Sequence, residues 1–347
     1  MSDSTTDRPD ADEIRAVLTD AVRTHYSADA RLERWGERVL AERRGRRVLR
    51  YELDVRAGAG KGESNDQADQ VLHVAWIGKF YPAEPETPGR VARVLAALEA
   101  AGFTERSEII LPRVVGYVPA HHLLLLTYVP GEQVLRLRAL SLFDRDYAAL
   151  LERIARGLAA LHGVAPVTTE RVKTTAGIVA GLRRRADELC AEFPAEAARI
   201  QHIFAEIEQT TPPDLARPAL LHGDFGGSQL VWDGGRLGLI DFDKCALGDP
   251  ALDLANFVVQ LRRRALLDVP DAPPVETLRD LLLDAYQRHG ADPAALAGLA
   301  ARVAWHERAV LLKKIHYLAR HAKHERRGHS LPLLGLLAAL AEPSARA

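Results

Sequence analysis

Two aspartates, Asp224 and Asp241, flank a segment of sequence that is able to bring them together. Between them lie Gln229 with the apolar run Leu230–Trp232, then Asp233-Gly234-Gly235, then the apolar run Leu237–Ile240. Two short apolar runs joined by Asp-Gly-Gly read as a tight β-hairpin. If Asp233 pairs with Arg236, Gln229 falls opposite Ile240, and its side chain lies beside Asp241 at the open end, to within about one residue of register. Asp224 enters the same end from the preceding loop. Two carboxylates and an amide oxygen converging on one spot form a hard-oxygen site of the kind Mg²⁺ takes, with one aspartate left over as a base.

The elements that must position this hairpin divide the chain into two regions of different character. A helix is expected over 11–26 from the spacing of Ile14, Val17, Leu18, Ala21 and Val22. Strand-like runs follow within 37–55, at 71–81 (VLHVAWIGKFY), at 108–118 and at 122–129, with an Ala/Leu-rich helix over 89–101 that stops at Gly102. After Pro130-Gly131 the pattern turns helical, over 143–162 and 175–208 and then nearly to the end, with the hairpin inserted. The fold class expected is α+β: an N-terminal extension with a short helix over 1–34, a small antiparallel-sheet lobe over 35–126, a hinge over 127–131, and a larger helical lobe over 132–347. Residues 1–10 and the polar, Gly-rich 56–70 are expected to be irregular.

Composition narrows the function classes. The chain has 347 residues, 47% of them hydrophobic and 27% charged, with a net charge of −1. These are ordinary values for a globular protein, and no global field points to nucleic acid or to an anionic membrane. No apolar run approaches the roughly 20 residues that span a bilayer. The polar, acidic start does not read as a signal peptide. Cys190 and Cys245 are far apart and have no metal-ligand spacing, so a reduced cytoplasmic setting is expected. GAGKGES at 58–64 lacks the Ser or Thr after Lys61 that a phosphate-binding loop requires. Six of the 13 histidines lie in 289–329, at spacings too irregular for a metal cluster.

The central motifs resemble those of the aminoglycoside phosphotransferase superfamily, a choline-kinase-like branch of the protein-kinase-like fold. HGDFGGSQLV resembles that family's catalytic loop, and LIDFDKCALGDPALDLAN its metal-binding strand and following segment. LLLLTYVPGE resembles its hinge, and IARGLAALH the helix before the catalytic loop. The resemblance spans roughly 35–265 and implies a bilobal kinase fold, ATP and Mg²⁺. It assigns Asp224 as the base that meets an acceptor hydroxyl, and Asp241 and Gln229 as metal ligands. It assigns Lys79 to the α- and β-phosphates, and the backbone of Thr127 and Val129 to adenine. Such a division suits phosphoryl transfer, where catalysis is positioning and charge neutralisation. Two departures stand out. Gln229 replaces the usual Asn on a longer stem, and no helix glutamate is evident for Lys79: Glu99 lies late in the helix, Val91 sits near the expected place, and Glu84 and Glu86 are alternatives.

The implied activity is an ATP- and Mg²⁺-dependent O-phosphotransferase acting on a small-molecule hydroxyl acceptor, as a monomer or homodimer, with no nucleic-acid or membrane partner. Residues 251–347 hold 14 Lys and Arg against 10 Asp and Glu. Runs such as Arg262-Arg263-Arg264 and Lys313-Lys314 would repel a polycation if they faced the acceptor, so a sugar or other metabolite is expected rather than an aminoglycoside. The alternatives are an aminoglycoside-modifying resistance kinase, a nucleotide-binding pseudokinase, and a metal-dependent hydrolase built on His222, Asp224, Asp241 and Asp243.

Overall fold

The computed structural model describes residues 9–43, 46–57, 71–104, 106–134, 145–165, 169–267, 275–321 and 328–341. The expectations for residues 1–8 and 58–70 fall outside these. The chain forms two compact units that divide between Pro130 and Gly131, with the short stretch Ser107–Ile109 belonging to the second.

Up to that division the chain runs α1 (Ala11–His25), β1 (Arg31–Arg43), β2 (Arg46–Arg56), β3 (Val71–Phe80), α2 (Glu86–Ala100), β4 (Ile109–Ile110), β5 (Val114–Val118) and β6 (Leu123–Thr127), and β4 straddles the boundary at Ile109. The Asp10 carboxylate accepts from the Asp12 and Glu13 N–H groups while Glu13 accepts from the Asp10 N–H, a reciprocal cap that fixes where α1 starts. The helix then buries Ile14, Leu18, Ala21 and Val22. Leu49, Tyr51, Leu53 and Val55, spaced two apart along β2, complete the same core, as a pleated strand with one face inward requires. The antiparallel sheet runs β1-β2-β3-β6-β5. It places Lys79 in β3 between Val48 of β2 and Leu124 of β6.

The second unit continues with β7 (Glu132–Gln133), α3 (Arg145–His162), α4 (Thr175–Glu192), α5 (Ala197–Gln209), β8 (Ala219–Leu221), β9 (Leu230–Trp232), β10 (Leu237–Leu239) and β11 (Ala246–Gly248). It ends with α6 (Ala251–Leu267), α7 (Val275–His289), the single turn α8 (Pro293–Leu296), α9 (Leu299–His321) and α10 (Ser330–Ala341). Leu182, Ile203, Trp305, Leu312 and Leu333 anchor one apolar core shared by α4, α5, α9 and α10. In the hairpin's sheet β9 is paired to β10 on one side and to β7 on the other. Among the described residues no helix is long and apolar enough to cross a membrane.

Candidate active site

The hairpin has the register expected from its turn. Leu237 pairs with Trp232 and Leu239 with Leu230, and the Ile240 N–H donates to the Gln229 carbonyl at 2.9 Å. Asp233 holds the turn by accepting from the Gly235 and Arg236 N–H groups. Gln229 and Asp241 therefore flank the mouth of the hairpin, both part-buried. Asp241 adopts the left-handed conformation, φ 73° and ψ 60°. A non-glycine residue held there costs of order 1–3 kcal/mol and persists only where its surroundings enforce it. Gln229 Oε1 accepts from the Ser228 hydroxyl at 2.7 Å, and Gln133 Nε2 steadies the same turn through the Ser228 carbonyl. Hard oxygen donors at both positions suit an oxygen-preferring divalent ion such as Mg²⁺.

Asp224 follows a rigid platform. Gly223 has φ 80°, and a Cβ there would lie 2.0 Å from the Lys244 carbonyl oxygen, so glycine is required. Asp253, at the start of α6 and fully buried, clamps the loop. Its Oδ2 accepts from the His222 N–H at 2.7 Å and its Oδ1 from the Gly223 N–H at 2.9 Å. His162 Nε2 approaches Oδ2 at 3.3 Å and is itself steadied by the Tyr286 hydroxyl. Burial alone would raise the Asp253 pKa, but the hydrogen bond and charge of His162, with His222 and Lys173 nearby, hold it below the usual carboxylate value. The Asp224 carboxylate is part-exposed and paired with Lys244 Nζ at 2.6 Å.

His222 is a brace. It is fully buried against Phe225 and Phe242, and its Nε2–H donates to the Ile240 carbonyl at 3.0 Å, tying the loop before Asp224 to the hairpin. Burial lowers its pKa, with Asp253 and the Ile240 carbonyl opposing the fall. Among the described residues no three His, Cys, Asp or Glu side chains are grouped to hold a metal. Asp243, for which surface exposure and a site role were both open, is buried.

In the first unit, Lys79 is buried at 9% exposure. Glu99 is salt-bridged to Arg113 and Glu84 to Arg46. The Thr127 N–H donates to the Arg113 carbonyl and the Tyr128 N–H to the Ala75 carbonyl. The buried Val129 N–H has no backbone acceptor among the described residues. A nucleobase ring nitrogen would satisfy that donor.

The sequence reading missed several residues of the second unit. Asp249 accepts from Arg302 Nε at 2.8 Å and from the Ala251 N–H. Lys244, the partner of Asp224, lies only three residues past Asp241. Of the basic runs flagged in the sequence, Arg262 is buried between Glu307 and Glu276. Lys313 does line one, of about 420 Å³, together with Arg171, Lys173, Arg185 and the backbone of Gly223. Lys173 Nζ donates to the Gly223 carbonyl at 2.9 Å.

A model of the phosphotransferase enzyme family matches residues 56–299. A glucosamine kinase from Streptacidiphilus jiangxiensis is 28% identical over 255 residues, covering 62% of this chain and 57% of that protein, so the match spans little more than half the relative's length. Among solved structures, the macrolide 2'-phosphotransferase MphH from Brachybacterium faecium superposes with a TM-score of 0.57 at 20% identity, covering 91% of this chain and 97% of that one. The ADP-bound aminoglycoside phosphotransferase APH(2'')-Ib gives 0.59 at 15% identity, covering 96% and 99%. At these identities the likeness speaks for the fold, which is the bilobal, protein-kinase-like α+β architecture.

Proposed function

The chain belongs to the phosphotransferase enzyme family, and on that premise we propose how its residues divide the transfer of a phosphoryl group. It is a small-molecule O-phosphotransferase that takes a hydroxyl as acceptor and uses a nucleotide as donor. The proposed donor is ATP with Mg²⁺. Asp241 and Gln229 would hold the metal, which when bound neutralises phosphate oxygens. Lys79 would pair with the α- and β-phosphates. The Val129 N–H and the Thr127 carbonyl would hold the adenine edge.

Asp224 would receive or orient the acceptor hydroxyl. The observation that carries this role is the loop itself: Gly223 and His222 are pinned through both backbone amides to one buried carboxylate. The next side chain is thereby presented from a fixed backbone, the preorganisation that positioning catalysis needs. Lys244 at 2.6 Å keeps that carboxylate oriented while no acceptor is bound.

A sugar or similar metabolite is favoured as acceptor over an aminoglycoside. Support comes from the glucosamine kinase similarity and from the cations around the cavity beside Gly223. The test is Asp224→Asn, expected to lower turnover by about 10²-fold or more while ATP affinity stays nearly intact. An equal loss of nucleotide binding would remove Asp224 from the role given to it. An ADP-release screen in which kanamycin-type compounds outperform sugars would overturn the acceptor class.

A further inference from the structure

The cavity beside the catalytic loop has one sign of charge. Its wall is built by the segment 171–174, by helices α4, α6 and α9, and by the loop at Gly223. The segment 171–173 runs alongside β11, with the Leu247 N–H donating to the Arg171 carbonyl and the Lys173 N–H to the Leu247 carbonyl, both at 2.8 Å. Alternation along that segment sends the Arg171 and Lys173 side chains to the same side. Helix α4 contributes Gly177, Gly181 and Arg185 at four-residue spacing, the two glycines leaving room and Arg185 closing one end. Helix α9 contributes Lys313 from the other side. Four cationic side chains line the space, and no carboxylate is among its lining residues.

The carboxylates that act on these cations have other partners. Asp253 accepts from two backbone amides and is approached by His162, Asp224 is engaged by Lys244, and Glu188, which acts on Arg185, is engaged by His316. The cations feel each other in consequence. Lys313 reaches solvent, yet its pKa is lowered, first by desolvation and then by repulsion from Lys244, Arg185 and Arg171, with Asp224 opposing the fall. Burial brings Lys173 down to about 8, with Lys313 and Arg171 adding to the fall and Asp253 and Asp224 opposing it. At the cavity's edge the Asn256 Nδ2 amide has no hydrogen-bond partner among the described residues. A fold that gathers cations against their own repulsion, and leaves a donor unmet beside them, is arranged for an anion.

We propose that this cavity binds an anionic group, a carboxylate or a phosphate monoester, carried by the acceptor whose hydroxyl is presented to Asp224. The proposal rests on the phosphotransferase reading for the position of that hydroxyl and on the cavity alone for the charge of the group. The geometry connects the two, because Lys173 bonds the carbonyl of Gly223, the residue immediately before Asp224. An anion on Lys173, Arg185 and Lys313 would set the rest of a sugar-sized molecule next to the catalytic loop, and the cavity volume of about 420 Å³ suits such a ligand.

The experiment compares glucose, glucosamine, glucuronate and glucose 6-phosphate. They share a ring and hydroxyls and differ in charge. Thermal shift reads binding and ADP release with ATP and Mg²⁺ reads turnover, for the wild type, Lys313→Glu and Lys314→Glu. Lys314 is the control for net charge, since it lies outside the cavity and stacks on Tyr317. The expected result is that an anionic member stabilises the protein most and lowers KM at least about tenfold relative to glucose, the scale of one charge-assisted hydrogen bond. Lys313→Glu should erase that advantage and Lys314→Glu preserve it. Whether glucuronate or glucose 6-phosphate leads identifies the group as carboxylate or phosphate. Glucose or glucosamine binding as well as the anions overturns the proposal, as does equal loss in the two variants. Anion binding that Lys313→Glu abolishes, without phosphorylated product, supports the cavity assignment and counts against the role given to Asp224.

Discussion

Asp253→Asn tests the idea that one buried carboxylate holds the catalytic loop. Asp253 meets two converging donors with two oxygens, the His222 N–H at 2.7 Å and the Gly223 N–H at 2.9 Å. Asparagine keeps one acceptor and turns an amide NH2 toward the other backbone N–H. One charge-assisted hydrogen bond is lost, at about 1.5–3 kcal/mol, and a buried donor is left unmet, at about 1–3 kcal/mol. The summed cost is about 2.5–6 kcal/mol, a large share of a typical domain's stability. Urea unfolding gives the global figure, and amide hydrogen exchange at His222 and Gly223 gives the local one. A midpoint shift equivalent to less than about 0.5 kcal/mol, the range of a neutral surface substitution, with both amides still protected, would refute the clamp.

The pH dependence of that difference has a definite sign. The folded Asp253 pKa lies below its unfolded value, so its stabilisation is present above about pH 4 and is lost as pH falls through the folded value. The gap between wild type and Asp253→Asn should be flat from about pH 5 to 8 and close below about pH 4. His222 adds a separate loss. Its folded pKa is lowered, so the unfolded chain takes up the proton first and stability falls as pH drops below about 6.5.

Three further outcomes follow from the same geometry. Gly223→Ala should lower stability by about 2 kcal/mol or more and turnover with it, because the new methyl meets the Lys244 carbonyl in a left-handed conformation; unchanged kinetics would show that the loop tolerates a shift. Glu307→Gln, which breaks a buried carboxylate held by Arg262 and Arg279, should cost about 3–5 kcal/mol in denaturant unfolding, since it strands buried positive charge. Binding of an anion to the cavity should take up protons at pH 8 but not at pH 6, because Lys173 titrates near 8 and an adjacent anion raises it; calorimetry in buffers of different ionisation enthalpy reads this, and Lys173→Met should abolish it.

The parts of the fold that were legible in the sequence are those set by local chemistry. Asp233-Gly234-Gly235 fixed the turn, the turn fixed the hairpin register, and the register placed Gln229 opposite Ile240. Capping and apolar spacing located α1, and the run 71–81 located β3 with Lys79 near its end. The helical stretch expected over 175–208 is formed by α4 and α5, with a 3-10 turn over Pro194–Glu196 between them: Pro194 lacks the N–H that a continuous helix needs. Illegible were the partners drawn from distant segments. Nothing near Arg262 in the sequence announces Glu307, so a run of three arginines read as a possible cleft wall when its first member is buried in an ion network. Lys313 and Lys314 are adjacent in sequence, but successive helix positions face about 100° apart, and only Lys313 enters the cavity.

The two clusters of charge in the second unit make opposite use of burial. Around Glu307 every buried charge has a counter-charge within hydrogen-bond reach, so the cluster is closed and takes part in the helix packing of α6, α7 and α9. In the cavity wall the cations face one another with their nearest carboxylates already engaged, so that wall is open in the electrostatic sense. The cavity cations meet backbone carbonyls and no carboxylate in the lining, and a wall of one charge without its counter-charge marks a site where that charge comes from outside. The free energy spent on crowding Lys173 and Lys313 would be returned when an anion arrives. On that view one unit carries both an acceptor anchor and the loop that presents Asp224, joined through the short link from Lys173 to the Gly223 carbonyl.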